Sequence, residues 1–336
     1  MKVKTWGTRG SIAIANPQSA KAGGNTTCYE VISDCFPENN HVMLDTGTGF
    51  VPAGWHYLRE EPHPDISYTL LYTHWHWDHI LGLTLSPPTF INQIPMTLYG
   101  PWDAGIGPKE MVQYLFKRPF FPVDSARFLH KMRFETLYDY DVKVIISHRE
   151  GGFSTMNLSL FNHLIKDNKQ IPVNGKKYAL KECMVIRMAK ANHGNSNCIS
   201  YRFEEMPTGK TFVFCTDHED MTGIPSDFNR HLSDADLLII DAQYNDEKYM
   251  KQTAGFGHGT PFGAIKQGMQ ARVQRVGLTH HDPMSTDDFL ESSILEEGWS
   301  ALETLVASTP PGDAGCSSLL GQDDIFLCRD YDEIEV

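Results

Sequence analysis

Residues 69–82 read TLLYTHWHWDHILG. The run Tyr68-Thr69-Leu70-Leu71-Tyr72 is apolar and β-prone, which predicts a buried strand. Four potential metal ligands then fall within six residues: His74, His76, Asp78 and His79. Two imidazoles two positions apart suit an extended segment or tight turn that presents both to one ion. Asp78 and His79 can turn toward a second ion beyond it. Imidazole and carboxylate together are donors for zinc, manganese or iron. Trp75 and Trp77 are expected to alternate away from the ligands and pack the loop against its base. A histidine-rich loop without metal is the plain alternative, and four donors directly after a strand argue against it.

The second half of the chain repeats the device of a strand that ends in a polar residue. MVIRMAKANHGNSNCISYRFE (184–204) reads as two strands joined by a turn that carries His193, with Asn192, Gly194 and Asn195 suited to the turn. KTFVFCTD (210–217) ends in Asp217, ADLLIID (235–241) in Asp241, and RVGLTH (275–280) in His280, with His281 adjacent as a competitor. GFGHGT (255–260) places His258 just before a predicted helix at 261–271. Cys215 is a weaker ligand candidate than Asp217. An imidazole titrates in the range useful for proton transfer, so His258 is a candidate general acid, with Asp241 able to hydrogen-bond it and fix its tautomer. A helix-start cap for His258 and a turn role for Asp241 are the structural alternatives.

The HWHWDH motif at 74–79, with later His, Asp and His partners, resembles the HxHxDH signature of the metallo-β-lactamase fold superfamily. The resemblance spans most of the chain. GGNTTC (23–28) and the LTHHDP segment are similar to a bacterial phosphodiesterase-like branch related to RNase Z. The resemblance implies an α/β, four-layer αββα sandwich. It implies that His74, His76 and His193 bind a first ion, that Asp78, His79 and His280 bind a second, and that Asp217 bridges them. It implies that Asp45, in the turn Asp45-Thr46-Gly47, supports the metal loop; an Asx turn is the local reading of the same residue. Two neighbouring divalent ions, zinc first and manganese or iron next, activate water and polarise the electrophile, with Asp78 expected to orient the attacking water. The order Asp217, Asp241, His258, His280 follows that of RNase Z relatives, with Asp where RNase Z has Glu.

The expected function is therefore a two-metal-dependent hydrolase of a small phosphodiester, with a cyclic nucleotide among the candidates. Hydrolysis of another ester, a thioester or a lactam is the alternative within the same chemistry, and a non-catalytic metal-binding protein is the alternative outside it.

Whole-chain properties narrow the setting. The formal net charge of -13 over 336 residues opposes broad binding to long nucleic acid, and no basic arm for tRNA stands out. No run reaches the roughly 18 apolar residues of a membrane span. The opening residues MKVKTWGTRGSI lack an apolar signal segment, and seven cysteines with no CxxC pair suggest reduced thiols. The expectation is a cytoplasmic protein, with a homodimer compatible. Residues 1–336 are expected to form one domain. Within it, 87–182 reads as an insertion that shapes one wall of the cleft, with paired strands at 131–148. No P-loop or GxGxxG pattern occurs.

Overall fold

Strands of three to eight residues, most of them apolar, build two main sheets. The computed structural model describes residues 1–220, 226–308 and 320–336. The strands are β1 (Lys2–Gly7), β2 (Cys28–Ile32), β3 (Asn40–Leu44), β4 (Ser67–Leu71), β5 (Met96–Pro101), β6 (Met132–Leu137), β7 (Lys143–His148), β8 (Gly152–Asn157), β9 (Ile171–Val173), β10 (Lys176–Tyr178), β11 (Met184–Ala191), β12 (Cys198–Glu205), β13 (Lys210–Cys215), β14 (Leu237–Asp241), β15 (Val276–Thr279), β16 (Ile325–Leu327) and β17 (Glu333–Glu335). The first sheet runs β17-β1-β2-β3-β4-β5-β6, and the second β16-β15-β14-β13-β12-β11-β7-β8. In the first, β3, β4, β5 and β6 are mutually parallel. In the second, β13, β14, β15 and β16 are.

The period-2 alternation of strands explains the layers. Leu71 points into the core between the sheets, where it joins Val31, Leu44, Ile186, Tyr201, Phe214 and Ile239. Leu70 points the other way, toward Phe50 and Tyr57 of the helix Phe50–Arg59 and Met111 of the helix Pro108–Leu115. On the second sheet, Leu238 and Ile240 face outward onto Ala264 and Ile265 of the helix Pro261–Gln270 and Leu302 of the helix Glu296–Ser308. The result is helix, sheet, sheet, helix: the four-layer αββα sandwich.

Two expectations are corrected. Residues 131–148 hold two strands that do not pair with each other: β6 closes the first sheet, and β7 joins the second beside β11. The stretch 87–182, read as an insertion, is largely framework, because β5, β6, β7 and β8 all belong to the main sheets. The β9–β10 hairpin forms its own two-stranded sheet and packs with Phe161 of the helix Leu158–Lys166 over β7 and β11. The stretch does reach the turns around the centre, since Trp102 O accepts from Asn197 Nδ2 (3.0 Å), Asp103 Oδ2 from Asn197 N–H (3.1 Å) and Ile106 O from Trp75 Nε1 (3.3 Å). Phe121 packs on Phe116 and Phe153 on Phe36, whereas Phe120 is exposed. The six cysteines among the described residues are buried and unbridged. No described helix is long and apolar enough to cross a membrane.

Candidate metal centre

The parallel strands deliver the polar residues to one end of the sandwich. Asp45 follows β3, His74 follows β4, Asp217 follows β13, Asp241 ends β14 and His280 follows β15. Carboxyl ends of parallel strands are where α/β sheets gather ligand-binding groups. Between β11 and β12, the turn at 192–197 adds His193.

Two groups of donors meet there. His74, His76, His193 and Asp217 form one, and Asp78, His79 and His280 the other, with the donor atoms of each within 4.8 Å of one another. Asp217 stands between them. Its Oδ1 lies 3.7 Å from His74 Nε2 and 3.5 Å from His193 Nε2. Its Oδ2 lies 3.2 Å from His79 Nε2 and 3.4 Å from His280 Nε2. Asp78 Oδ2 closes the second group at 3.3 Å from His79 Nε2 and 3.2 Å from His280 Nε2. His76, exposed on the loop, turns Nδ1 to within 3.2 Å of His193 Nε2.

A set of hydrogen bonds fixes which ring nitrogen faces inward. His79 Nδ1 donates to Asp45 Oδ2 (2.8 Å) and His193 Nδ1 to Gly257 O (2.7 Å). Thr73 Oγ1 donates to Asp45 Oδ2 (2.8 Å), which leaves it to accept from His74 Nδ1 (3.0 Å). Each bond puts the proton on Nδ1 and leaves the Nε2 lone pair for an ion. Asp45 also accepts from Thr73 N–H (2.8 Å), so it braces the metal loop as expected. His280, not His281, faces the centre; His281 Nε2 donates to Cys328 O (2.8 Å). Trp75 packs against Tyr72, but Trp77 is 64% exposed, contrary to expectation. The helical turn Trp77–Ile80 buries Asp78 and His79 and so rotates Trp77 outward.

Beside these groups, His258 Nδ1 lies 2.8 Å from Asp241 Oδ2, with the ring partly open and the carboxylate buried. Asp241 Oδ1 accepts from Gln243 N–H (2.9 Å). Three contributors were not legible in the sequence. Ser11 N–H donates to Asp78 Oδ2 (2.7 Å), Gln243 Nε2 donates to Ser11 Oγ (3.0 Å), and Glu219 braces the turn before His258. No local pattern marks them, since each acts across a long sequence separation.

The donors fit divalent cations. Nε2 of both His74 and His79 is buried without a hydrogen-bond partner, a costly arrangement unless something else is bound. Against burial, which favours the neutral form, His280, His79 and His74 hold the Asp217 carboxyl well below its usual range. His79 and His280 are raised in turn, again against burial, mainly by Asp217; His280 is pushed up to about 9. The carboxylates therefore demand positive charge, which protons on these imidazoles supply in the absence of an ion and which a cation supplies in their place.

Fold and centre together define the molecule as a metallo-β-lactamase-fold protein. The family model described as "Beta-lactamase superfamily domain" matches residues 157–281, which include His193, Asp217, Asp241, His258 and His280. The chain is similar to unliganded yeast PDE1 (TM-score 0.60, 13% identity, covering 100% of this chain and 99% of that one). It is similar to a diphosphatase from the PhnP family (0.56, 15%, 100% and 97%) and to the short form of human tRNase Z (0.55, 16%, 100% and 99%). No curated protein sequence matches the chain.

Proposed function

We propose that the protein is a two-metal-dependent hydrolase of a small phosphodiester, working as a single domain. The observation that carries this reading is the split of the Asp217 carboxylate, one oxygen toward each donor group, with the Asp241–His258 pair alongside. His74, His76 and His193 would hold one ion, Asp78, His79 and His280 the other, and Asp217 both. The nitrogen-rich set favours zinc, with manganese or iron next. Such ions supply Lewis acidity and an activated water. The chain does the rest. Asp78, held by Ser11 N–H, is placed to orient the attacking water. With Asp241 accepting from its Nδ1–H, a doubly protonated His258 ring would deliver its Nε2 proton to the departing oxygen and be left as the neutral Nδ1–H form. Two of the structural relatives are named a diphosphatase and a tRNase, which favours phosphate chemistry. The net charge of -13 favours a small substrate over a long polyanion.

The test pairs a substrate panel with one variant. Zinc, manganese and iron forms are assayed on cyclic nucleotides, a generic phosphodiester, a thioester and a lactam. Turnover of the lactam or thioester alone would overturn the phosphodiester reading. His258→Ala is expected to keep two ions and to slow cleavage of a poor leaving group roughly a hundredfold or more. The loss should be smaller on bis-p-nitrophenyl phosphate. Loss of an ion instead would make His258 a ligand, a role its place within reach of Asp217 and His280 allows.

A further inference from the structure

Glu219 lies two residues beyond Asp217 and is 3% exposed. Three donors from a distant segment converge on its carboxylate. Oε1 accepts from the Tyr249 hydroxyl (2.7 Å) and from Gly255 N–H (2.6 Å), and Oε2 accepts from Gly257 N–H (2.8 Å). Its main chain makes a second set of contacts. Glu219 N–H donates to Asn192 O (2.9 Å), and Glu219 O accepts from Asn192 Nδ2 (2.7 Å). Next to it, His218 Nδ1 accepts from Asn192 N–H (3.0 Å).

These contacts join three pieces of the centre. Asn192 precedes His193. Gly257 precedes His258, and its carbonyl accepts from His193 Nδ1. Gly255 and Gly257 have φ of 90° and 87°, and a Cβ on Gly257 would lie 2.4 Å from His193 Nδ1. A turn of two glycines in this conformation is not self-supporting, because glycine has the largest conformational freedom to lose. It needs an external anchor. A carboxylate supplies two oxygens that only accept, which suits N–H groups converging from the turn. An amide in its place would turn an NH2 toward one of them.

We propose that Glu219 is a positioning residue that holds the Gly255–Gly257 turn, and through it sets His193 for ion binding and His258 for proton delivery. The proposal rests on the two-metal reading above.

The experiment uses the full chain, loaded with zinc, as Glu219→Ala and Glu219→Gln. Zinc affinity is read by competition with a chromogenic chelator, and rates on bis-p-nitrophenyl phosphate and on an unactivated alkyl phosphodiester. Loss of a group that orients a metal ligand costs about 10- to 100-fold in affinity. Glu219→Ala is therefore expected to weaken one of the two ions about tenfold and to leave the other unchanged. It should also slow the unactivated ester more than the activated one. Glu219→Gln should show the same pattern, only weaker. A folded Glu219→Ala with wild-type zinc affinity and an unchanged ratio of the two rates overturns the proposal, even if its melting temperature falls. If Glu219→Ala does not fold, Glu219→Gln decides on the same readouts, and wild-type values overturn it. Wild-type protein that binds two zinc ions but cleaves no phosphodiester would count against the substrate reading, and the affinity comparison would still test Glu219.

Discussion

Three side chains of the centre sit on left-handed backbone: Asp45 (φ 59°), Asp217 (φ 53°) and His280 (φ 60°). A residue with a Cβ visits this region uncommonly, and Asp and His are among those that tolerate it best. Such conformations cost of the order of 1 kcal/mol or more each and persist where the surroundings over-determine them. Here they turn the chain back at the strand end, so that the side chain lies over the end of the sheet. The same backbone serves unequal roles. Asp217 touches both donor groups, whereas Asp45 acts through His79 and Thr73. Asp45→Ala should therefore weaken zinc binding about 10- to 100-fold, the range for losing a group that orients a ligand. Asp217→Ala should lose both ions and turnover together. Elemental analysis of dialysed protein checks both, and two ions per chain retained in Asp217→Ala would refute the bridging role.

The elements that matter most are strand ends and the turns that close on them. The loop after β1 shows how close the fit is. Gly10 N–H donates to His281 O, His281 N–H donates to Thr8 O, and Ser11 N–H donates to Asp78. A Cβ on Gly10 would lie 2.3 Å from His280 Nδ1, closer than any real contact allows, so Gly10→Ala must displace the ring or the loop. Overpacking of this kind costs about 1–3 kcal/mol. The expected outcome is loss of the ion held by Asp78, His79 and His280, with the ion at His74, His76 and His193 retained. Zinc content near one per chain would show it; two ions held at wild-type affinity would refute it. What was readable from sequence follows the same division. Strands β4, β13, β14 and β15 are short apolar runs buried on both faces, and each announces the polar site residue at its end. The parting of β6 from β7 was not readable, because their five-residue connection looks like that of a hairpin and strand partners are chosen by distant register. Nor was Trp77, because the helical turn that exposes it replaces the extended alternation expected there. Nor was Glu219, since its donors lie 30 to 38 residues away.

At the scale of the molecule, the sandwich buries ionisable groups that play no part in the centre, and they contribute to its response to acid. His231 lies behind the second sheet in the helix Ser226–Leu232, with Nε2 donating to Ser200 Oγ (3.1 Å), whose own hydroxyl donates to Phe214 O (2.9 Å). Burial first, then the charges of Arg202 and Arg187, push its pKa from 6.5 down to about 3. As pH falls below about 6.5 the unfolded chain takes up this proton and the folded chain does not, so stability is lost at about 1.4 kcal/mol per unit. Asp330 acts in the opposite sense. Burial pushes it up to about 6 from 3.8, against the opposing hydrogen bonds from Asn25 and Thr8. Its folded form is protonated first, so acidification from about 6 toward 3.8 favours the fold. Over that window the two groups largely offset each other, and the pH profile of the wild type alone does not separate them. His231→Gln does, because the amide can still donate to Ser200 Oγ and cannot ionise. Urea unfolding of both proteins in chelator at pH 7.5, 6.5, 5.5 and 4.5 isolates the contribution. The stability of the wild type relative to His231→Gln should be constant from pH 7.5 to 6.5, then fall by about 1.4 kcal/mol for each further unit. A difference that does not change with pH would mean that His231 titrates alike in the folded and unfolded chain.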